Sequence, residues 1–323
     1  MATYKGIQGF SIQNLSADPS NPIEGQVWYN STSNVWKVEE LTTAGAWATG
    51  NSMNTARRSL ASSGIQTAAL GFGGYDTANT GATEEYDGTS WTSNPTGLNT
   101  ARRASAGCGT QTAALGFGGY TTTAATEEYD GSTWTTSPGS LNTARYALAG
   151  CGTQTAGLAF GGAPPPVNTG ATEEYDGSTW TSNPTGLNTA RSGLAGCGTQ
   201  TAGLAFAGSN LAATEEYNGS TWTTSPGSMN TARGLLGSAG TQTAALGFGG
   251  APPPASTAAT EEYDGSTWTT SPGSLATARY DLKGAGTQTA GLAFGGENPG
   301  GVTGATEEWT GAGAAVTKTI TVS

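Results

Sequence analysis

Six adjacent glutamate pairs are the first candidates for chemistry in this 323-residue chain, running from Glu84-Glu85 through Glu307-Glu308. Paired carboxylates carry glycoside hydrolysis, one as acid and the other as base or nucleophile. A catalytic pair should be singular, whereas these recur at one position of a repeat. They read instead as structural partners of six arginines: Arg57, Arg102, Arg145, Arg191, Arg233 and Arg279. Histidine is absent, which removes the commonest general base and the usual ligand of copper and zinc. No serine or cysteine has an activating base in prospect. Asp87-Gly88, Asp130-Gly131, Asp176-Gly177, Asp264-Gly265 and Asn218-Gly219 supply one oxygen ligand each, short of a calcium cage. They suit tight hairpin turns better, because both residues tolerate positive φ. Cys108, Cys151 and Cys197 occupy a slot that holds Ser63, Ala239 and Ala285 in other copies, so a small buried residue is expected there rather than a disulfide or a metal ligand. No catalytic residue, metal site or cofactor is expected, and the chain reads as a non-enzyme.

The elements that position these groups follow from the repeat. From Asn54 onward the order Asn-Thr-Ala-Arg, Gln-Thr-Ala, Leu-x-Phe, Ala-Thr-Glu-Glu-aromatic recurs six times, with small departures, and successive anchor arginines lie 45, 43, 46, 42 and 46 residues apart. In the second copy strand character is predicted at 102–107, 112–118, 125–129 and 132–136. Four strands per ~40–50 residues is the period of a propeller blade. Within the second strand Leu115 and Phe117 share one face, while Ala114, Gly116 and Gly118 share the other. A bulky face set against a neighbour's bare face would let such blades pack side by side.

The Gly-Gly pair after the second strand (Gly118-Gly119, for example), the Glu-Tyr-Asp that follows it, the Trp beyond (Trp91, Trp134, Trp180, Trp222, Trp268) and the Arg opening the next copy together resemble a kelch repeat. Copy four departs with Ala207-Gly208, and copy six departs with Trp309 for Tyr and no later Trp. The resemblance implies an all-β, six-bladed kelch-like propeller of four-stranded antiparallel blades. A copper-dependent enzyme of the galactose-oxidase kind, which needs histidine ligands, is excluded. Trp47 precedes Asn54 at nearly the spacing that other copies show between Trp and Asn, so an N-terminal strand is expected to complete copy six. The alternative is a seventh blade assembled from 27–29, 35–38, the Trp47 segment and 316–322. The expected organisation is a docking arm at 1–25, a hairpin and closing strand at 26–50, and the propeller at 51–323.

Length variation is confined to one loop per copy. The loops before Ala-Thr-Glu-Glu hold 7, 5, 8, 4 and 8 residues in copies one to five, and the rest of each period is 38 residues throughout. In an antiparallel blade this loop shares a face with the connection between blades, so one face should carry all the variable loops on a constant scaffold. The candidate binding residues are therefore Tyr75, Asp76, Tyr120, Thr121, Pro164, Pro165, Pro166, Asn168, Asn210, Leu211, Pro252, Pro253, Pro254, Glu297, Asn298 and Pro299. The non-anchor arginines, Arg58 and Arg103, read as architectural.

A net charge of −11 argues against nucleic acid as a partner. No stretch approaches the ~20 apolar residues that span a bilayer, so membrane insertion is not expected. Residues 1–10 lack the basic region and apolar core of a secretory signal. Residues 18–37, Asp-Pro-Ser-Asn-Pro-Ile-Glu-Gly-Gln-Val-Trp-Tyr-Asn-Ser-Thr-Ser-Asn-Val-Trp-Lys, resemble a strand-turn-strand segment of fibre and tail-associated virion proteins of tailed bacteriophages. Near-identical Gly-, Thr- and Ala-rich copies are similar to proteins of marine phages. The resemblance implies a virion structural or adhesion protein, assembled in the host cytoplasm and present in several copies. Its arm would dock on other virion proteins, and its loop face would meet a host-surface glycan or a virion neighbour. The alternatives are a free cytoplasmic interaction adaptor and a glycan-processing propeller enzyme.

Overall fold

The computed structural model describes residues 13–20, 24–41, 44–252, 255–312 and 315–320. They contain strands and turns and no helix. The chain divides into two compact units, Gly45–Thr310 and a second made of residues 1–44 with 311–323.

In the larger unit each repeat folds into a four-stranded antiparallel sheet whose strands follow chain order. Sheet 1 comprises Ala61–Ile65, Ala68–Phe72, Thr83–Tyr86 and Trp91–Asn94. Sheets 2 to 5 repeat the order over 106–136, 149–183, 195–224 and 237–270. Sheet 6 takes Lys283–Gly286, Ala290–Phe294 and Thr306–Thr310 from its own repeat, and Ala46–Gly50 as its fourth strand, with Trp47 opposite Trp309. Such repeated sheets fit a β-propeller. The first strand of sheet 2 begins at Ala106 rather than Arg102. Arg102 belongs to the connection before it, and Ala104 turns the chain at φ 52°, which no strand residue adopts.

Packing between sheets uses the alternation expected from the sequence. Leu115 and Phe117 are fully buried, and Phe117 presses on the next repeat: a Cβ at Gly150 would lie 2.4 Å from its Cζ. Phe72 stands in the same relation to Gly107, and Phe160 to Gly196. Each repeat phenylalanine also packs against a neighbouring repeat's tryptophan ring, with Phe160 and Trp222 centroids 4.9 Å apart. Phe294 of sheet 6 packs on Trp91 of sheet 1 at 4.8 Å, and Trp47 takes the tryptophan's place against Phe248 at 4.9 Å.

Polar groups stitch each sheet to the one before it. The six tryptophan indoles donate to a threonine of the preceding repeat at 2.8–2.9 Å, including Trp91 to Thr306 and Trp47 to Thr260. The constant glutamines donate two bonds each to carbonyls there: Gln111 to Ala69 and Tyr86, and Gln66 to Gly291 and Trp309. The Gly-Gly pairs face the other way. Gly119 N–H reaches Arg145 O at 2.9 Å, and Gly296 N–H reaches Arg57 O at 3.0 Å. Both glycines of a pair have positive φ, and a Cβ on Gly118 would meet Arg145 O at 2.8 Å, so close approach as well as backbone conformation requires glycine.

The smaller unit holds one sheet, with Gln13–Leu15, Val27–Asn30, Val35–Leu41 and Ala315–Ile320 in that order. The first pair is parallel and the others antiparallel. Of the hairpin and closing strand expected within 26–50, the hairpin Val27–Leu41 belongs here and the strand Ala46–Gly50 to sheet 6. The tail, which lacks the repeat's motifs, pairs with the hairpin through Trp36 opposite Ile320. Segments 27–29, 35–38 and 316–320 of those weighed for a seventh blade therefore do share a sheet, without the Trp47 strand, and 321–322 lie outside the described residues. The Asp18 carboxylate ties the segment together, accepting from Trp28 Nε1 at 3.0 Å, Asn30 Nδ2 at 2.7 Å and Lys37 Nζ at 2.5 Å. Those bonds hold its pKa down to about 2.

Candidate recognition face

The repeated ionisable groups are spent inside the scaffold. The first glutamate of every pair lies against its own repeat's anchor arginine: Arg57 with Glu84 at 3.3 Å, Arg102 with Glu127 at 3.0 Å, Arg233 with Glu261 at 3.1 Å and Arg279 with Glu307 at 2.7 Å, with Arg145–Glu173 and Arg191–Glu215 closer still. All twelve side chains are buried. The same carboxylates accept the backbone N–H that opens each repeat, such as Asn99 N–H on Glu127 at 2.7 Å. Burial holds the Arg57, Arg102, Arg233 and Arg279 guanidiniums below their ordinary pKa, and their glutamates oppose that shift. The second glutamate points to the other face and takes a tyrosine hydroxyl from a neighbouring repeat: Tyr129 on Glu85, Tyr175 on Glu128, Tyr217 on Glu174, Tyr263 on Glu216 and Tyr86 on Glu308. Desolvation, reinforced by these bonds, pushes Tyr175 and Tyr263 up to about 12. Trp309 has no hydroxyl for Glu262 and donates instead to Gln288 O at 2.8 Å. The first member of each pair is thus buried and ion-paired, and the second is half-buried and, except for Glu262, holds a tyrosine hydroxyl.

The cysteines are free and buried, and each thiol donates to the next repeat's threonine carbonyl, as Cys108 does to Thr153 O at 3.4 Å. Ser63 makes the equivalent bond to Thr110 O at 3.0 Å. Desolvation pushes Cys108 and Cys197 up to about 12, far from a reactive thiolate.

The variable loops stand beside the connections between sheets. Bridges join Arg58 to Tyr75, Arg103 to Tyr120, Tyr146 to Ala163, Gly234 to Ala251 and Tyr280 to Glu297. Each pairs the first loop residue with the residue just after an anchor arginine. That slot holds Arg58, Arg103, Tyr146, Ser192, Gly234 and Tyr280, and it divides the face into two unlike halves.

Across repeats six, one, two and three the slot and the loops form a continuous arc. Tyr280 Oη donates to Glu297 at 2.8 Å, and Glu297 pairs with Arg58. The Arg58 guanidinium stands 5.4 Å from the Tyr75 ring centroid, and that of Arg103 is 4.6 Å from Tyr75 and 4.4 Å from Tyr120. Tyr120 meets Tyr146 edge-on at 5.5 Å. A guanidinium between two rings is fixed in orientation while its in-plane N–H groups stay available to acceptors. One of those on Arg103 holds Asn79 Oδ1 at 3.4 Å. Tyr120 is 39% exposed, and Asp76 and Thr121 are exposed beside the arc. Asp76 caps its own turn, accepting from Thr77 and from Ala78 N–H at 3.1 Å. Glu297 and Asn298 pair with 301–302 in a short ribbon whose tip carries Pro299.

The other half is small and apolar. Pro164 is half-buried, while Pro165, Pro166 and Asn168 are exposed. Asn168 donates to Ser209 Oγ at 3.0 Å, joining the third and fourth loops. Asn210 and Leu211 are exposed, and Pro252 is half-buried. Pro253 and Pro254 lie outside the described residues.

The structure thus brings Tyr75, Tyr120 and Glu297 together and leaves the other candidates on separate loops. It adds four residues that sequence reasoning passed over: Arg58, Arg103, Tyr146 and Tyr280. The signal was available. Successive residues of an extended chain point to opposite sides, so a residue following a buried arginine points away from it. Among known proteins, no family model matches this chain and no curated protein matches it.

Proposed function

We propose that this chain is a non-catalytic recognition protein of a tailed bacteriophage particle. In this reading the six sheets close into a six-bladed kelch-type propeller, with Ala46–Gly50 completing the sixth blade. The contacts of repeat six with repeat one support closure, because the Trp91–Thr306, Gln66–Trp309 and Gly296–Arg57 bonds match those between every other neighbouring pair. The arc from Tyr280 to Tyr146 then lies on the propeller's loop face. Its ligand is a host-surface glycan. Tyr120, exposed at 39%, suits the apolar face of a sugar ring, and fixed arginine N–H groups suit hydroxyl and carboxylate oxygens. The virion assignment rests on the resemblance of residues 18–37 and of the near-identical Gly-, Thr- and Ala-rich copies to phage proteins.

The observation that carries recognition is the unequal face: a repeated scaffold whose variable slot and first loop residues gather the two non-anchor arginines, four tyrosines and Glu297 into one linked arc. The test is binding of the purified chain to an array of bacterial surface polysaccharides. Arg103→Ala and Tyr75→Ala should each weaken the retained glycan by about tenfold or more while the melting temperature barely moves. Binding that survives both changes refutes the arc as the site. Absence of the chain from purified phage particles, checked by mass spectrometry, refutes the virion assignment separately.

A further inference from the structure

The first strands of the six sheets surround a cavity of about 150 Å³, lined by 61–64, 106–109 and their counterparts in each repeat. Toward the connections before these strands stands a chain of six amide-to-carbonyl bonds. It runs from Ala104 to Ser59, Ala147 to Ala104, Gly193 to Ala147, Leu235 to Gly193, Asp281 to Leu235 and Ser59 to Asp281, at 2.7–2.9 Å. All six residues have φ between 52° and 61°. Only the backbone makes these bonds, so the side chain at each position is free to vary.

Charge enters this axial region in one repeat alone. The slot at the head of the first strand holds Ala61, Ala106, Ala149, Ala195, Gly237 and Lys283, and the slot two residues before it holds Ser59, Ala104, Ala147, Gly193, Leu235 and Asp281. Lys283 lines both the main cavity and a second of about 30 Å³ beside the backbone chain. Among the described residues its ammonium makes no hydrogen bond or ion pair, and the Asp281 carboxylate is engaged by Ser59 Oγ at 2.8 Å. Desolvation holds Lys283 below its ordinary pKa, opposed by Asp281. Lys283 is half-buried, so its ammonium keeps some contact with water while lacking a bonded partner, and four other repeats carry alanine at this position instead.

We propose that the axial cavity is a binding site for a small free oxyanion, of carboxylate or phosphate type, with Lys283 as its counter-charge. The walls suit such a guest. Each lining strand has a sheet neighbour on one side only, so part of its backbone N–H and C=O groups face inward. The lining side chains are mostly Gly, Ala, Ser and Cys and do not fill the space. The volume equals about five water molecules, room for a phosphate or a short carboxylate with residual water but not for a polymer. This site is independent of the loop-face arc.

The test is calorimetric titration of the full chain with sodium phosphate and with sodium acetate, against sodium chloride at matched ionic strength. Lys283→Ala restores the residue of the other repeats, so folding should persist. Wild type should show saturable binding of at least one of the two probes, weakened about tenfold or more in Lys283→Ala and retained in Lys283→Arg. Equal responses in wild type and Lys283→Ala, or no saturable heat in wild type, overturn the proposal. If Lys283→Ala fails to fold, crystals of the wild type soaked in selenate decide. An anomalous peak beside Lys283 Nζ upholds the site, and an empty cavity refutes it.

Discussion

Glu173→Gln should destabilise the larger unit by about 3–5 kcal/mol, the cost of removing one partner from a buried ion pair. Glu173 is 1% exposed and Arg145 0%, so the guanidinium left behind cannot recover water. Its remaining support is thin. Arg145 Nη1 also bonds Thr143 O at 3.1 Å, but Nε and Nη2 have no partner. The carboxylate in addition holds Asn142 through its N–H at 2.5 Å and its Nδ2 at 2.9 Å, and Asn142 in turn donates to Trp180 O. A glutamine oxygen retains some of these bonds, which places the loss nearer the lower end of the range. Guanidinium denaturation followed by tryptophan fluorescence measures it, since Trp180 lies beside the altered pair. The decisive control is repetition: Glu215→Gln should cost a similar amount, because Arg191 meets Glu215 through Nη1 and bonds Thr189 O as Arg145 does with Glu173 and Thr143 O. The doubly apolar variant Arg145→Met with Glu173→Leu should recover much of the loss, since no charge is then stranded. A loss below about 1 kcal/mol, typical of an exposed pair, refutes the structural role of the pair.

Phe160→Ala should cost about 3–5 kcal/mol, because the ring is fully buried between Gly196 and Trp222. Deleting one of Pro164, Pro165 and Pro166 should leave the denaturation midpoint nearly unchanged, and comparable losses from the two changes would contradict the division into scaffold and loop. Ala207→Gly should stabilise the chain by about 1 kcal/mol, since Ala207 holds φ 59° where the other five copies place glycine. Calorimetry should find a melting temperature raised by roughly 2–4 °C, and a fall would show that Ala207 is better accommodated than its backbone suggests.

Much of the scaffold was legible because the repeat states each contact six times over. The Phe-to-Gly packing followed from alternation along one strand, and the assignment of Trp47 to sheet 6 followed from a tryptophan missing in copy six. The role of the constant glutamine was not legible. Its side chain reaches carbonyls some 25 and 42 residues away, as Gln111 does at Tyr86 and Ala69, and no local pattern encodes such a span. The pairing of Ala315–Ile320 with Val35–Leu41 is likewise long-range and unrepeated. At the candidate recognition face the loops were found by their unequal lengths, whereas Arg58 and Arg103 were set aside as neighbours of structural arginines. Adjacency in sequence implied a shared role, but Arg57 is fully buried while Arg58 keeps 31% of its side chain exposed.

That contrast points to how such a scaffold acquires function. A side chain with a buried partner, such as the anchor arginine in its own repeat or the glutamine and the packed phenylalanine against a neighbouring one, cannot change alone without stranding that partner. A position used only through its backbone can. The residue after each anchor bonds its loop through N–H and C=O, and the positions 59, 104, 147, 193, 235 and 281 bond one another in the same way. At these positions the six repeats differ most in chemistry, holding Arg, Tyr, Ser and Gly in one set and Ser, Ala, Gly, Leu and Asp in the other. Variation is therefore tolerated where the main chain alone carries the structure, and it is there that the arginine–tyrosine arc and the Asp281 side chain arise, with Lys283 at the head of the adjoining strand.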